Sequence, residues 1–148
     1  MPRNIEEIRR LLPLRYPYLM IDRILEEGEE HILALKNVTI DEPFFQGHFP
    51  EPYPAVMPGT LILEAMAQAA AFLLKRDQDK VGYLAAVEKA RFRRKVVPGD
   101  QIVLSAHTLR KRKGLVQAEV EALVEDEVAA SATISLLIAG SADVEQTR

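Results

Sequence analysis

The segment TLILEAMAQAAAFLLKR, residues 60–76, decides the predicted fold of this chain. It is rich in the strong helix formers Ala, Leu and Met, and it contains no internal Gly or Pro. Pro58 and Gly59 stand at its start, which is where helices tolerate them. Apolar residues lie almost all round the predicted helix, as is typical of a buried helix. We therefore expect one long central helix over about residues 60–75.

Strand patterns lie on both sides of this helix, at residues 19–26, 31–39, 81–92, 100–110, 115–125 and 128–138. The last two segments alternate apolar and polar residues. Their predicted inward residues are Val116, Ala118, Val120, Ala122 and Val124, then Val128, Ala130, Ala132, Ile134, Leu136 and Ile138. Short turns between successive strands favour antiparallel pairing. A short N-terminal helix, capped by Asn4 and stopped by Pro13, precedes them.

The sum is an α+β fold, in which an antiparallel sheet of five to six strands wraps round one long buried helix. We expect a single domain over residues 1–148, with a frayed tail after about residue 140.

Composition excludes several classes of function. The chain has 148 residues, a formal net charge of −3 and no cysteine. Disulfides, thiolate catalysis and sulfur-based metal sites are therefore excluded, and general nucleic-acid binding is disfavoured. The most apolar run, residues 60–74, is too short to span a bilayer, and the first residues lack the apolar stretch of a signal peptide. We expect a cytoplasmic protein with no nucleic acid partner, no membrane insertion and no metal.

A polar stripe interrupts the apolar helix. Thr60, Glu64 and Gln68 are spaced i, i+4 and i+8, so they share one face. A capping box places its acid three residues after the Thr, whereas Glu64 follows Thr60 by four, so a capping role fits poorly. Burial favours the neutral form of a carboxyl group, which is the form that a general acid requires. Gln68, one turn along, is placed to donate a hydrogen bond to this carboxyl group.

The loop before the helix is stiff and holds one of the three histidines. Most of the nine prolines lie in residues 41–58, namely Pro43, Pro50, Pro52, Pro54 and Pro58. His48 lies in this loop, whereas His31 and His107 fall at solvent-facing strand positions. The helix begins near Gly59, where its free N–H groups would stabilise a carbonyl oxygen that gains negative charge.

These groups together suit the removal of a proton next to a carbonyl group. His48 would be the base, Glu64 the acid and the N–H groups near Gly59 the oxyanion donors. The chain contains no GxSxG motif and no cysteine to act as a nucleophile.

The motif GHFP…VMPGTLILEAMAQ, within residues 47–68, resembles the signature of FabZ-type (3R)-hydroxyacyl-[acyl-carrier-protein] dehydratases, which have the hot-dog fold. Residues 12–24, 34–50 and 88–104 also resemble the family in order and spacing, so the resemblance covers nearly the whole chain. It implies that His48 is the catalytic histidine and Glu64 the catalytic glutamate. It also implies that the Gly59 N–H binds the thioester carbonyl and that Gln68 orients Glu64. We expect Thr60, the next residue after Gly59, to belong to this oxyanion and orienting group.

The resemblance further implies the reaction and its partners. The substrate is a (3R)-3-hydroxyacyl chain on acyl carrier protein, the product is the trans-2-enoyl chain of fatty acid biosynthesis, and no cofactor is needed. His48 of one subunit works with Glu64 of its dimer partner, beside an acyl tunnel at the dimer interface, and the dimers assemble as a trimer of dimers, a homohexamer. Because acyl carrier protein is acidic, the basic island RFRRK is a candidate docking surface, with the residues Arg91, Arg93, Arg94 and Lys95.

Two departures from the family pattern leave more than one function open. Leu14 replaces a common histidine, and the segment between HFP and MPG is longer than usual. We expect the longer segment to bulge, because Pro52 and Pro54 stiffen it. If residues 51–57 disrupt the site instead, the chain is a non-catalytic acyl-binding module. A hot-dog acyl thioesterase and a dehydratase–isomerase are rival enzymatic functions, although isomerising relatives carry Asp where Glu64 stands.

Overall fold

The computed structural model of the chain describes residues 2–74 and 80–140. Its helices and strands are, in chain order, α1 Ile5–Leu11, β1 Arg23–Glu27, β2 His31–Asn37, the 3-10 turn Pro43–Gln46, α2 Gly59–Ala71, the 3-10 turn Phe72–Leu74, β3 Lys80–Phe92, β4 Gln101–Arg112, β5 Leu115–Val124 and β6 Glu127–Gly140. The six strands form one antiparallel sheet in the order β1-β2-β4-β5-β6-β3. The predicted α+β architecture is confirmed.

Two expectations lie partly outside the described residues. The helical region runs through α2 into the 3-10 turn at Phe72–Leu74, and the expected end near residue 75 is not described. The frayed tail expected after residue 140 is not described either. A single domain over the whole of residues 1–148 therefore stays a prediction.

Helix α2 packs across the inner face of the sheet, against β2, β4, β5 and β6. Small side chains make this close approach possible: Ala65, Ala69 and Ala70 are fully buried, together with Met66. Along the polar stripe, Thr60 is exposed, Glu64 is partly buried and Gln68 is buried, so the stripe becomes more covered towards the C-terminal end of the helix.

Alternation along the strands places the core. The predicted inward residues of β5 are all buried, and those of β6 are buried from Ala130 to Leu136. Val128 is a wrong assignment, because it is only partly buried while Ala129 is fully buried. The cause is a bulge in the β5–β6 ladder: Ala122 pairs with Ala130, but Leu123 pairs with Val128.

The first strand begins later than predicted, at Arg23 rather than at residue 19. The chain turns at residues 16–18, where the Tyr18 N–H donates to the Arg15 carbonyl at 2.8 Å. The next two N–H groups do not join the ladder: that of Leu19 donates to the Arg15 carbonyl at 3.2 Å, and that of Met20 donates to the Gln68 side chain of α2 at 2.8 Å. The apolar pattern of this segment therefore reflects burial of Met20 and Ile21 in the core rather than strand pairing.

Strand β3 lies at one edge of the sheet. Among the described strands it pairs only with β6, and its 13 residues include the exposed Tyr83, Leu84 and Phe92. Within residues 2–74 and 80–140, no helix is both long and apolar enough to cross a membrane.

Candidate active site

The polar stripe of α2 contains a hydrogen-bonded pair. The Gln68 side-chain amide donates from Nε2 to Glu64 Oε1 at 2.8 Å. The same nitrogen donates to the Tyr18 carbonyl at 2.7 Å, and Gln68 Oε1 accepts from the Met20 N–H at 2.8 Å. Gln68 is only 3% exposed, so these bonds satisfy an amide that burial would otherwise penalise. They also fix the position of Glu64.

Glu64 lies beside a cavity of about 140 Å³. Its other lining residues come from the segment after α1, from α2 and from the strands β3 and β6: Leu12, Pro13, Leu14, Ala67, Gln68, Ala71, Val81, Gly82, Leu84 and Leu136. Glu64 is partly exposed, not fully buried as the sequence suggested. The reason is that its cavity opens near the sheet edge, where Leu84 of β3 is 52% exposed.

His48 follows the 3-10 turn Pro43–Gln46, and its backbone N–H donates to the Phe44 carbonyl at 3.1 Å. Its side-chain Nδ1 lies 2.6 Å from the Val56 carbonyl oxygen. Because a carbonyl oxygen only accepts, Nδ1 must carry the proton. In the neutral ring this leaves the lone pair on Nε2, which is the nitrogen able to accept a proton. The Phe49 ring stacks on the imidazole, with the centroids 4.1 Å apart.

The longer segment forms an outward loop. Residues 49–54 are all exposed. Its two ends are joined, because the Val56 N–H donates to the His48 carbonyl at 3.2 Å while His48 Nδ1 donates back to the Val56 carbonyl. The next residue, Met57, donates its N–H to the Val96 carbonyl at 2.8 Å. The longer segment therefore bulges outward on the surface, as expected, over residues 49–54.

The start of α2 carries free donors. Pro58 precedes the helix and supplies no side-chain cap, and the N–H groups of Leu61 and Ile62 both donate to its carbonyl. The N–H groups of Gly59 and Thr60 have no partner among the described residues. A Cβ at Gly59 would lie 3.2 Å from the Phe92 ring, so glycine allows this close approach. The Thr60 side chain is exposed, and no described hydrogen bond joins it to Glu64.

A second cavity of about 300 Å³ lies at this end of the helix. It is lined by Val56, Met57, Gly59, Ile62, Phe92, Arg93, Arg94, Lys95 and Val96, so three of the four candidate docking residues border it. Arg91, Arg93 and Lys95 are exposed. Arg94 is half-buried and pairs with Glu127, with Nη1 3.0 Å from Oε2.

The structure therefore gathers the candidates into separate groups within one protomer. Glu64 is joined to Gln68, Gly59 borders the basic cavity, and His48 is joined to Val56. In the described part of the chain, no hydrogen bond or ion pair links His48 to Glu64.

The other two histidines lie on the surface, and each faces a carboxylate. His31 Nε2 is 2.6 Å from Glu26 Oε1, and His107 Nε2 is 3.6 Å from Glu119 Oε2. Over residues 2–74 and 80–140, no group of His, Asp or Glu side chains is arranged to hold a metal ion.

Three partners of the site had no signal in the sequence. Val56 binds His48 through its backbone carbonyl, and Tyr18 and Met20 bind Gln68 through backbone atoms. Backbone groups carry the same chemistry at every residue, so only the path of the chain reveals these contacts.

Comparison with solved structures shows the hot-dog fold. The chain superposes on the dehydratase heterocomplex ApeI:P from Xenorhabdus doucetiae with a TM-score of 0.81, at 16% identity and with 95% of each chain covered. A thioesterase superfamily member from Thermus thermophilus superposes with a TM-score of 0.64 at 22% identity, over 83% of this chain and 91% of that one.

Comparison with curated sequences is more specific. The FabA-like domain model matches residues 12–133. The 3-hydroxyacyl-[acyl-carrier-protein] dehydratase FabZ of Thermus thermophilus is 52% identical over 142 residues, covering 93% of this chain and 99% of that protein. The enzyme of the same name from Dichelobacter nodosus is 48% identical over 150 residues, covering 93% and 97%. The chain therefore belongs to the FabA-like family and, within it, to the FabZ-type 3-hydroxyacyl-[acyl-carrier-protein] dehydratases.

Proposed function

We propose that this chain removes water from (3R)-3-hydroxyacyl chains on acyl carrier protein and forms trans-2-enoyl chains, as a hydro-lyase of fatty acid biosynthesis. The observation that carries this proposal is the 52% identity, over 93% of the chain, with a relative named for the reaction. The motif residues His48, Gly59, Glu64 and Gln68 all lie within the family match. No cofactor is required by this chemistry, because the acid and the base are both side chains.

The geometry supports a role for each group. His48 Nε2 takes the proton alpha to the thioester carbonyl, because Nδ1 already donates its hydrogen bond to the Val56 carbonyl oxygen. The N–H groups of Gly59 and Thr60 stabilise the charge that develops on the carbonyl oxygen. Glu64 donates a proton to the departing beta hydroxyl, which leaves as water. Because Oε1 of Glu64 accepts from Gln68, Oε2 is the oxygen left free for this transfer.

The site is built from two copies of the chain, with His48 from one and Glu64 from the other. The support is that each residue has its own separate partners within one protomer, Val56 and Gln68. The long edge strand β3 exposes Tyr83 and Leu84 and offers a surface for pairing. We propose a homodimer through this edge and, as the family resemblance implies, a trimer of dimers with an acyl tunnel at the dimer interface. A sedimentation mass of a monomer would contradict it.

Acyl carrier protein docks on the basic residues Arg91, Arg93 and Lys95. Their exposure and their position at the cavity beside Gly59 support this assignment. Arg94 contributes less than its charge suggests, because Glu127 already pairs with it. A cytoplasmic location stays a prediction, which recovery of the protein in a membrane or extracellular fraction would contradict.

The test is catalysis by variants of the two reacting residues. We expect His48→Ala and Glu64→Gln each to lower turnover about a hundredfold or more, because each removes a positioned acid or base. The assay is the loss of absorbance when a crotonyl thioester is hydrated in the reverse reaction. Tyr53→Ala, at the exposed loop tip, is the matched control and keeps turnover within about twofold.

Near-wild-type turnover in either active-site variant would refute the assigned roles. Release of free thiol by the wild type would indicate a thioesterase instead. Binding of an acyl chain with no turnover of any kind would indicate a non-catalytic module.

A further inference from the structure

A charged residue occupies a core-facing position of β2. The inward residues of this strand are Ile32, Ala34 and Lys36, and the first two are fully buried. Lys36 is only 3% exposed, and its Nζ forms a hydrogen-bonded ion pair with Glu42 Oε1. The Glu42 side chain is 21% exposed, so the pair lies at the boundary of the core. None of the catalytic roles above uses either residue.

Stability alone gives a weak reason for this pair. Removing an ammonium group and a carboxylate from water offsets much of their attraction, and well-packed apolar side chains often replace such a pair without loss. The neighbouring inward positions, Ile32 and Ala34, are apolar and fully buried. The ion pair adds a defined geometry, because its directional hydrogen bond holds two segments of the chain in one relative position.

Those two segments are β2 and the turn that leads to His48. Glu42 directly precedes the 3-10 turn Pro43–Gln46, and its carbonyl accepts from the Phe45 N–H at 3.1 Å. Phe45 is buried in the core. Within the same turn, the Phe44 carbonyl accepts from the His48 N–H at 3.1 Å. A continuous series of contacts thus runs from Lys36 to the backbone of His48.

We propose that the Lys36–Glu42 ion pair positions the catalytic base: it fixes the start of the 3-10 turn, so that the His48 imidazole keeps its bond to the Val56 carbonyl. This inference rests on the proposed role of His48. Lys36 and Glu42 are positioning residues and touch no substrate. Placement of a base matters because a shift of about 1 Å lowers a rate by about a hundredfold.

The test separates positioning from stability with the variants Lys36→Met, Glu42→Met and the double variant. Each single variant leaves one buried charge without its partner, so its melting temperature falls. The double variant removes both charges, so its melting temperature recovers towards the wild type. We expect its kcat to stay at least about tenfold low, with KM within about twofold, because substrate binding is intact while the base is misplaced.

The matched control is another ion pair of the chain, Arg3–Glu27, which ties the N-terminal segment to β1. Arg3→Met/Glu27→Met is expected to keep kcat. Recovery of wild-type kcat together with the melting temperature in Lys36→Met/Glu42→Met would overturn the proposal.

If the double variant does not fold, Glu42→Gln and Glu42→Met decide. Glutamine keeps a side-chain oxygen that accepts from Lys36, whereas methionine does not. At a temperature where both are folded, we expect Glu42→Gln to have a kcat several-fold above that of Glu42→Met. Equal kcat values would overturn the proposal.

A second measurement does not depend on activity. With three histidines in the chain, the ¹⁵N ring signals of His48 are assignable by comparison with His48→Ala. We expect the wild type to show the Nδ1-protonated tautomer and the double variant to show a mixture of tautomers. An unchanged His48 spectrum would refute positioning even if no dehydratase activity were found. Absence of wild-type activity with a changed spectrum would refute only the proposed function.

Discussion

At the scale of single residues, Gln68 does more than accompany Glu64. Its side chain holds the Met20 N–H, the Tyr18 carbonyl and Glu64 Oε1 at once, all at 2.7–2.8 Å. One amide therefore joins α2 to the segment before β1 and sets the position of the proposed acid. The i, i+4 spacing made the contact with Glu64 predictable from sequence, because that contact is local. The contacts with Tyr18 and Met20 span about fifty residues and were not predictable.

Gln68→Leu is expected to lower both stability and turnover. The Met20 N–H and the Tyr18 carbonyl would lose their partners, which costs about 1–3 kcal/mol for each buried group, and Glu64 would lose its orientation. Denaturant unfolding and steady-state kinetics measure the two effects. The control is Gln101→Leu, which removes an exposed bond to Asn37 and should change stability by less than about 0.5 kcal/mol. Equal stability of the two variants would contradict this role.

At the scale of elements, strand faces were predictable and strand order was not. Alternation assigned the buried face of β5 correctly, since side chains alternate across any strand. The bulge at Ala129 escaped prediction, because an extra residue in one strand shows only against its partner. Nor does alternation indicate that β3 pairs with β6, across the sheet from β2. The nearly apolar sequence of α2 indicated a central helix. It did not indicate that the cavity beside Glu64 opens near the edge of the sheet.

Carrier-protein docking is tested at the C-terminal end of β3 and the residue that follows it. We expect Arg91→Glu/Arg93→Glu to lower kcat/KM for carrier-bound substrate about tenfold or more, because reversed charges repel an acidic partner. A short pantetheine thioester should be affected far less, and the effect on the carrier-bound substrate should shrink as salt is added. Arg110→Glu/Arg112→Glu, at the exposed end of β4, is the matched control. Equal losses on both substrates would place docking elsewhere.

At the scale of the whole molecule, the proposed base and the proposed acid belong to separate groups of residues within one protomer. His48 is held by the loop neck at Val56, and Glu64 is held by Gln68 at a cavity near the edge strand β3. Periodicity in the sequence describes one chain only, so the pairing of two copies came from the family resemblance. The pairing of two copies stays a proposal, for which the exposed Tyr83 and Leu84 of β3 offer a surface.

Mixing two inactive variants tests the central claim most directly. His48→Ala and Glu64→Gln proteins, unfolded and refolded together in equal amounts, form mixed dimers whose presence mass spectrometry verifies. In each mixed dimer one site receives both intact residues, so we expect about one quarter of wild-type turnover from a random mixture. Mixed dimers with no more activity than the separate variants would show that His48 and Glu64 do not act across two copies of the chain.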